Sequence, residues 1–337
     1  MFDPDAAAAP GAGIFGLPFT REQSRVVIFP VPYDATTSYR PGTKDGPEAI
    51  FEASQQVDLH DGRYGPIFQQ GIWMDRESAG IEEIRRLSEE AAAIARPLIE
   101  KGGAEESDAE ALSRIDSTGV RVAQIIREHT LGVLNQGKVP VLLGGEHAVS
   151  FGAIDAVASK GKIGILQVDA HMDLRDAFEG FQWSHASIMH NVLTRIPNVE
   201  RLVQVGLRDF GQGEVKFAKS QGSRVHPHTD DDWKDRLMEG EKWLDLCRRA
   251  IEPLPDRVYI SFDIDGLDPA MCPHTGTPVP GGLSFHQAVT LLHTVKESGR
   301  KIVGFDLVEV APGPDADEPE WDANVGARLL YKMCGLV

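Results

Sequence analysis

Cysteine is scarce in this chain. Cys247, Cys272 and Cys334 are its three thiols in 337 residues, and they form neither a CxxC pair nor an even-numbered disulfide framework. That pattern fits a reduced cytoplasmic setting. Long apolar runs are also missing. No stretch reaches the ~18 apolar residues of a membrane span. The first residues lack a basic segment followed by an apolar core, so no signal peptide is expected. Positive charge is short as well, with 34 Lys and Arg against 51 Asp and Glu, a formal net charge of -17. Such a surface repels nucleic acid and anionic membranes and mildly attracts cationic small molecules, and no basic run of the kind that grips phosphates is present. No repeat stands out at the ~20–50-residue periods of solenoids and propellers.

What is present is an ordinary globular composition, with 42% hydrophobic and 25% charged residues, enough for a sizeable core. Residues 1–22, rich in Ala, Pro and Gly, read as a flexible arm ahead of a single domain over 23–337. A strand signal at 25–30 leads into the turn-rich, then helix-prone TTSYRPGTKDGPEAI (36–50). Residues 79–100 predict a long amphipathic helix, GGAEESD (102–108) an acidic loop, and 118–136 a second helix. Beyond that point short apolar runs recur at 139–143, 163–168, 202–205, 258–262 and 302–307, mostly separated by helix-length segments. Short apolar runs between helices predict parallel strands buried on both faces. The expected fold is therefore α/β, a three-layer arrangement with a central parallel sheet.

The residues that follow these runs carry the chemistry. GGEHAVS, with His147, follows the first of the five. DAHMD, with Asp169, His171 and Asp173, follows the second. DIDGLDPA, with Asp263, Asp265 and Asp268, follows the fourth, and VEVAP, with Glu309, the fifth. In open α/β sheets the C-terminal edge of the strands is where ligands bind. Each segment alone has a plain reading: a satisfied polar histidine, an acidic loop, a calcium-like turn. Three such segments at strand ends of one α/β chain point to a shared site. His147, Asp169, His171, Asp173, Asp263 and Asp265 offer four carboxylates, two imidazoles and no thiolate. That set suits Mn²⁺ or a similar ion better than structural Zn²⁺. Six ligands exceed one tetrahedral site and fit two metals bridged by carboxylates, an arrangement that activates a shared water.

GGEHAVS, DAHMDLRD, SFDIDGLDPA and GTPVPGGLSF resemble the signature motifs of the ureohydrolases, the arginase and agmatinase family, and TTSYRPGTKDGPEAI resembles the N-terminal motif of agmatinases. The likeness runs from about Val26 onward. It implies an arginase-deacetylase-like α/β/α fold with two divalent ions per subunit, Mn²⁺ first and Ni²⁺ as the alternative. By that resemblance His147 and Asp173 hold one ion, His171 and Asp265 the other, and Asp169 and Asp263 bridge them. The reaction implied is hydrolysis of a guanidino compound to urea and an amine. Glu309 matches the carboxylate that anchors the planar guanidinium. His185, in WSHAS, matches a proton-shuttling histidine. Asp268 and Thr277 match a ligand-orienting and a substrate-loop position. The resemblance further implies a homo-oligomer, trimer or hexamer, and a small cationic guanidino substrate.

Two departures stand out. The usual GGDH is here GGEH, with Glu146, and the segment 312–322 differs from agmatinases. Arginases place Asn and Ser soon after DAHxD to hold an amino acid head. Here LRDAFEGFQWSHAS has no Asn before His185, and Phe178, Phe181 and Trp183 offer an apolar wall. A site without partners for a charged head gains nothing for desolvating it, so agmatine is the expected substrate. Guanidine or a small alkylguanidine, with Ni²⁺, is the alternative. A one-zinc deacetylase on the related fold and a non-catalytic subunit are the competing classes. The six-ligand set disfavours the first, and the intact ligands the second.

Overall fold

The computed structural model describes residues 2–313 and 320–337. Its framework is an all-parallel, eight-stranded sheet in the order β2-β1-β3-β8-β7-β4-β5-β6. The strands are β1 (Val26–Val31), β2 (Ile72–Met74), β3 (Val139–Gly144), β4 (Ile163–Val168), β5 (Val199–Leu207), β6 (Val225–Thr229), β7 (Arg257–Asp263) and β8 (Lys301–Val308). The helices are α1 (Gly46–Ser54), α2 (Ala79–Glu100), α3 (Ala109–Asn135), α4 (Ser150–Ala158), α5 (Ile188–Arg195), α6 (Gln212–Ser220), α7 (Asp230–Met238), α8 (Trp243–Ile251), α9 (Phe285–Glu297) and α10 (Trp321–Cys334).

Every residue of β1 and β4 is buried, as a parallel sheet covered on both faces requires. Successive side chains leave for opposite faces. Leu166 and Val168 therefore join one core cluster with Phe262 and Leu307, while Ile163 and Ile165 join a second with Leu202 and Tyr259. The α/β three-layer expectation holds. All five apolar runs are strands, and residues 79–100 form the expected helix.

Three local expectations change. The second helix starts at Ala109, nine residues before the expected 118. Ser117 and Thr118 are weak helix formers, but their hydroxyls bond back to the carbonyls of Ser113 (2.6 Å) and Arg114 (2.9 Å) inside the helix. The acidic loop 102–108 closes with a 3₁₀ turn over Glu106–Asp108, where Asp108 pairs with Lys101 at 2.5 Å. The arm over 1–22 is packed in part: Ile14, Phe15 and Leu17 are buried in the first cluster, and Phe15 lies 4.9 Å from the Tyr331 ring.

The sheet register places the strand ends. Val168 pairs with Phe262, and Phe262 with Leu307. The next residues, Asp169 and Asp263, thus lie side by side at the strand ends. Two glycines allow the chains to close here. A Cβ on Gly145 would lie 2.0 Å from the Tyr33 carbonyl oxygen, and one on Gly266 2.8 Å from the Asp169 nitrogen. No side chain fits at either position, which accounts for the glycines in GGEH and DIDG.

Candidate metal centre

His147, Asp169, His171, Asp173, Asp263 and Asp265 converge at the C-terminal edge of β3, β4 and β7. Nδ1 of His147 faces three carboxylates: Asp173 Oδ2 at 2.9 Å, Asp169 Oδ2 at 3.1 Å and Asp263 Oδ2 at 3.4 Å. Nδ1 of His171 lies 3.0 Å from Asp265 Oδ2 and 3.6 Å from Asp169 Oδ1. Two donor groups result, His147–Asp169–Asp263 and Asp169–His171–Asp265, and Asp169 belongs to both.

The donors fit divalent ions. His147 Nδ1 is buried and makes no hydrogen bond, despite the three nearby oxygens. Its other nitrogen, Nε2, is 2.9 Å from Ser261 Oγ, and Ser261 donates to Asp306 Oδ1 at 2.9 Å. With the Nε2 proton directed to Ser261, Nδ1 is left as a bare lone pair aimed at the carboxylates. Such outer partners fix the tautomer of a ligating histidine. A six-coordinate ion with donors at roughly 2.1 Å has donor–donor edges of about 3 Å, close to the separations seen. Among the described residues no Lys or Arg is ion-paired with any of the six.

Electrostatics gives the same picture. Burial pushes carboxyl pKa values up and imidazole values down. Asp173 is pushed up to about 7, by burial and then by Asp169. Asp263 rises well above its usual range, from burial and then the Asp265 and Asp169 charges. Burial opposes charge on both imidazoles, yet each is raised, because carboxylates surround it. Burial would likewise raise Asp169, but its contacts with both imidazoles hold it low. Four buried acids and two imidazoles without a basic side chain form a site short of positive charge.

Outer groups hold the ligands. Asp169 accepts from the His171 amide at 2.6 Å and from Gln167 Nε2 at 2.7 Å, and Gln204 Nε2 reaches Gln167 Oε1 at 2.7 Å. Asp265 Oδ1 accepts from the Ala170 amide at 3.0 Å. Asp173 has φ +55 and Glu309 φ +62, left-handed values that cost a non-glycine about 1–3 kcal/mol each. The start of α5 holds Asp173, whose carbonyl accepts from Met189 (3.0 Å) and His190 (3.1 Å). Glu309 is held by three bonds: its N–H to the Gly145 carbonyl, its carbonyl to Thr275 Oγ1, and Oε1 to the His147 amide at 2.7 Å.

A cleft of 170 Å³ opens over this cluster. Its walls include His147, His171, Asp173, Asp263, Glu309, His185, Thr277, Phe178, Arg175, Asp209, Glu214 and Ser38. A larger hollow of 670 Å³ lies under the N-terminal segment beside residues 55–59, but no imidazole lines it. The convergent titratable groups are the better guide to a site. In the cleft, the Glu309 carboxyl is raised well above its usual range by burial and then by Glu146. His185 is half-buried. Nε2 is 3.4 Å from Ser38 Oγ, and Nδ1 has no partner. Burial pushes its pKa down to about 4, so the ring is neutral near pH 7 rather than poised at its own pKa. Thr277 Oγ1 reaches Asp265 Oδ2 at 3.4 Å.

Asp268 is not brought to the cluster. It is exposed, and its Oδ1 caps its own turn through the Ala270 amide at 2.9 Å. The aromatic wall shrinks to Phe178. Phe181 is fully buried elsewhere, and Trp183 packs on Phe151 at 4.9 Å. Glu146 faces away from the ligands, with its carboxylate on the Thr36 amide (2.7 Å) and hydroxyl (2.6 Å). Burial pushes its pKa up to about 8. Of the unusual segment 312–322, residues 314–319 lie outside the described residues. Sequence reasoning missed Ser261, Asp306, Gln167 and Gln204, and also Arg175, Asp209 and Glu214 of the cleft. For the first four a signal existed, since polar residues inside strands buried on both faces need partners.

Comparison with known proteins agrees with this geometry. The arginase family profile matches residues 24–335. An N(1)-aminopropylagmatine ureohydrolase of Thermus thermophilus is 35% identical over 318 residues, covering 94% of this chain and 91% of its own. An agmatinase of Bacillus anthracis is 33% identical over 293 residues, covering 86% and 85%. The crystal structure of the agmatine ureohydrolase of Thermoplasma volcanium superposes with a TM-score of 0.71 at 25% identity, covering 95% of this chain and 92% of the other.

Proposed function

This chain belongs to the arginase family and is a ureohydrolase, and from that premise we propose that it hydrolyses agmatine to urea and putrescine. The observation that carries the choice is the charge of the outer cleft wall. Asp209 is exposed there and makes no side-chain ion pair among the described residues, while Arg175 is already engaged. Its guanidinium lies 3.5 Å from Glu214 Oε2 and 4.7 Å from the Phe178 ring centroid. An amine tail finds a carboxylate without an ion pair, and the cation that a carboxylate tail meets among the described residues of this wall, Arg175, is already paired with Glu214.

In this reading His147 and Asp173 would hold one ion and His171 and Asp265 the second, with Asp169 shared between the two groups and Asp263 completing the donor set from the His147 side. When bound, the pair, Mn²⁺ by donor type with Ni²⁺ as the alternative, lowers the pKa of a shared water. Glu309 binds the guanidinium through Oε2, because Oε1 already serves the His147 amide. Thr277 lies beside Asp265 on the same wall and helps to orient the substrate. His185, neutral at the mouth, accepts a proton and passes it to the departing amine. Asp209 takes the far amine.

Glu309→Gln keeps the acceptor for the His147 amide and removes the charge. It should lower kcat/KM by about 10–100-fold, the worth of one hydrogen bond to a charged group, with metal content unchanged. Loss of metal together with activity would assign Glu309 to holding the centre instead.

The substrate is tested by kcat/KM for agmatine, N(1)-aminopropylagmatine, 4-guanidinobutyrate, guanidine, methylguanidine and L-arginine at one metal loading. Leaving a carboxylate unpaired costs about 3 kcal/mol, so agmatine should exceed L-arginine by about 100-fold. If L-arginine or 4-guanidinobutyrate leads, this reading of the wall is wrong. N(1)-aminopropylagmatine is the second reading, favoured by the Thermus relative, and its lead over agmatine would select it.

A further inference from the structure

The hairpin of α2 and α3, with the acidic turn at its tip, has no part in the chemistry above. We propose that it is a positioning device for the loop 176–187, with Asp116 and Gly119 of α3 as its positioning residues. The inference rests on the role given to His185.

That loop is held along its backbone by the hairpin. Asp116 Oδ1 accepts from the amides of both Gln182 (3.0 Å) and Trp183 (3.1 Å), just ahead of His185. A Cβ on Gly119 would lie 2.6 Å from the Trp183 Cβ, so α3 reaches the loop only because it carries glycine there. At the tip, the Ala104 amide donates to the Glu179 carbonyl at 2.9 Å.

A path then leads from the hairpin to the catalytic ring. Phe181 is fully buried in a small core of its own, whose other buried members, Ala95, Leu98, Ile99 and Ile115, all belong to α2 and α3. Phe181 and Phe178 exchange two backbone hydrogen bonds, at 2.9 and 3.0 Å. Phe178 in turn meets the His185 ring edge-on, with centroids 5.8 Å apart. The hairpin also reaches the facing loop, where Arg96 Nη1 donates to the Thr37 carbonyl at 3.1 Å. Thr36, next in line, accepts from the His185 amide at 3.3 Å. The hairpin thus reaches His185 from two sides, at its ring through Phe178 and at its amide through Thr36. Misplacing a catalytic group by about 1 Å can cost about 100-fold.

The test compares metal-loaded wild type with Asp116→Ala, Asp116→Asn and Gly119→Ala. Urea release, metal content and hydrogen exchange of the 176–187 peptide are measured for each. Asp116→Ala should lower kcat by about 10–100-fold with KM nearly unchanged and metal retained, and the peptide should exchange faster. Asp116→Asn should restore both, since the two amides share one oxygen that asparagine also supplies. Gly119→Ala favours the helix yet should reproduce the losses, because the added methyl displaces Trp183. Unchanged kcat in both Asp116→Ala and Gly119→Ala would overturn the proposal, as would equal damage from Asp116→Asn. If wild type releases no urea from any guanidino compound, the functional reading fails. Unchanged exchange in Asp116→Ala and Gly119→Ala would then separately overturn the positioning claim.

Discussion

Asp169→Ala should empty both metal positions and lower urea release by at least about 1,000-fold, since metal-ion catalysis contributes several kcal/mol. The reason is its place in the donor set. Among the described residues Asp169 alone is common to both donor groups, and its two oxygens face different imidazoles, Oδ2 toward His147 and Oδ1 toward His171. Asp173 touches only the His147 side. Asp173→Ala should therefore weaken one position and spare the other. The check is metal per chain, by elemental analysis, beside turnover. Wild type should hold two ions, Asp173→Ala about one tightly held ion, and Asp169→Ala neither. An Asp169→Ala protein with two ions and full turnover would remove the bridging model. A wild type that is fully active with one tightly held zinc would do the same.

His185→Ala should lower kcat by about 100- to 10,000-fold, the usual range for a general acid–base group, with both ions retained. The ring is placed for the task, since it lines the cleft, Nδ1 has no partner among the described residues, and Ser38 Oγ lies 3.4 Å from Nε2. Its pKa, pushed down to about 4 by burial, sets the pH dependence. Above that value the ring is neutral and able to accept a proton, so this group should impose no loss of kcat between pH 5 and 7. Stability runs the other way. The unfolded chain binds a proton at this residue near pH 6.5 and the folded one only near pH 4. This site therefore destabilises the fold as pH falls through that window. Retained turnover in His185→Ala would mark the ring as structural.

The ligands were legible because they sit one to five residues past apolar runs, where the chain leaves a buried sheet. DAHMD and DIDG show this directly. The polar residues behind them were harder to see. Ser261 and Asp306 lie within β7 and β8, and they matter only because two strands far apart in sequence are neighbours. The edge strands were missed for different reasons. β2 has three residues, and β6 reads VHPHT, a mostly polar run that lacks the apolar signal of the other strands. The aromatic wall failed as a reading because composition does not tell which way a loop turns. Phe178 faces the cleft, while Phe181, three residues on, fills the hairpin core.

The sheet order carries a consequence for how the protein comes into being. β8, the last strand in sequence, lies between β3 and β7. Without it the sheet is two separate halves, β2-β1-β3 on one side and β7-β4-β5-β6 on the other. His147 belongs to the first half, and Asp169, His171, Asp173, Asp263 and Asp265 to the second. The keystone strand is thus what brings the histidine to its carboxylates, and it delivers Glu309 in the same movement. Insertion of a strand between partners so distant in sequence is a slow, long-range event. Assembly of the donor set therefore requires that synthesis has passed residue 308. Lifting of that one strand would undo the centre while leaving each half-sheet paired.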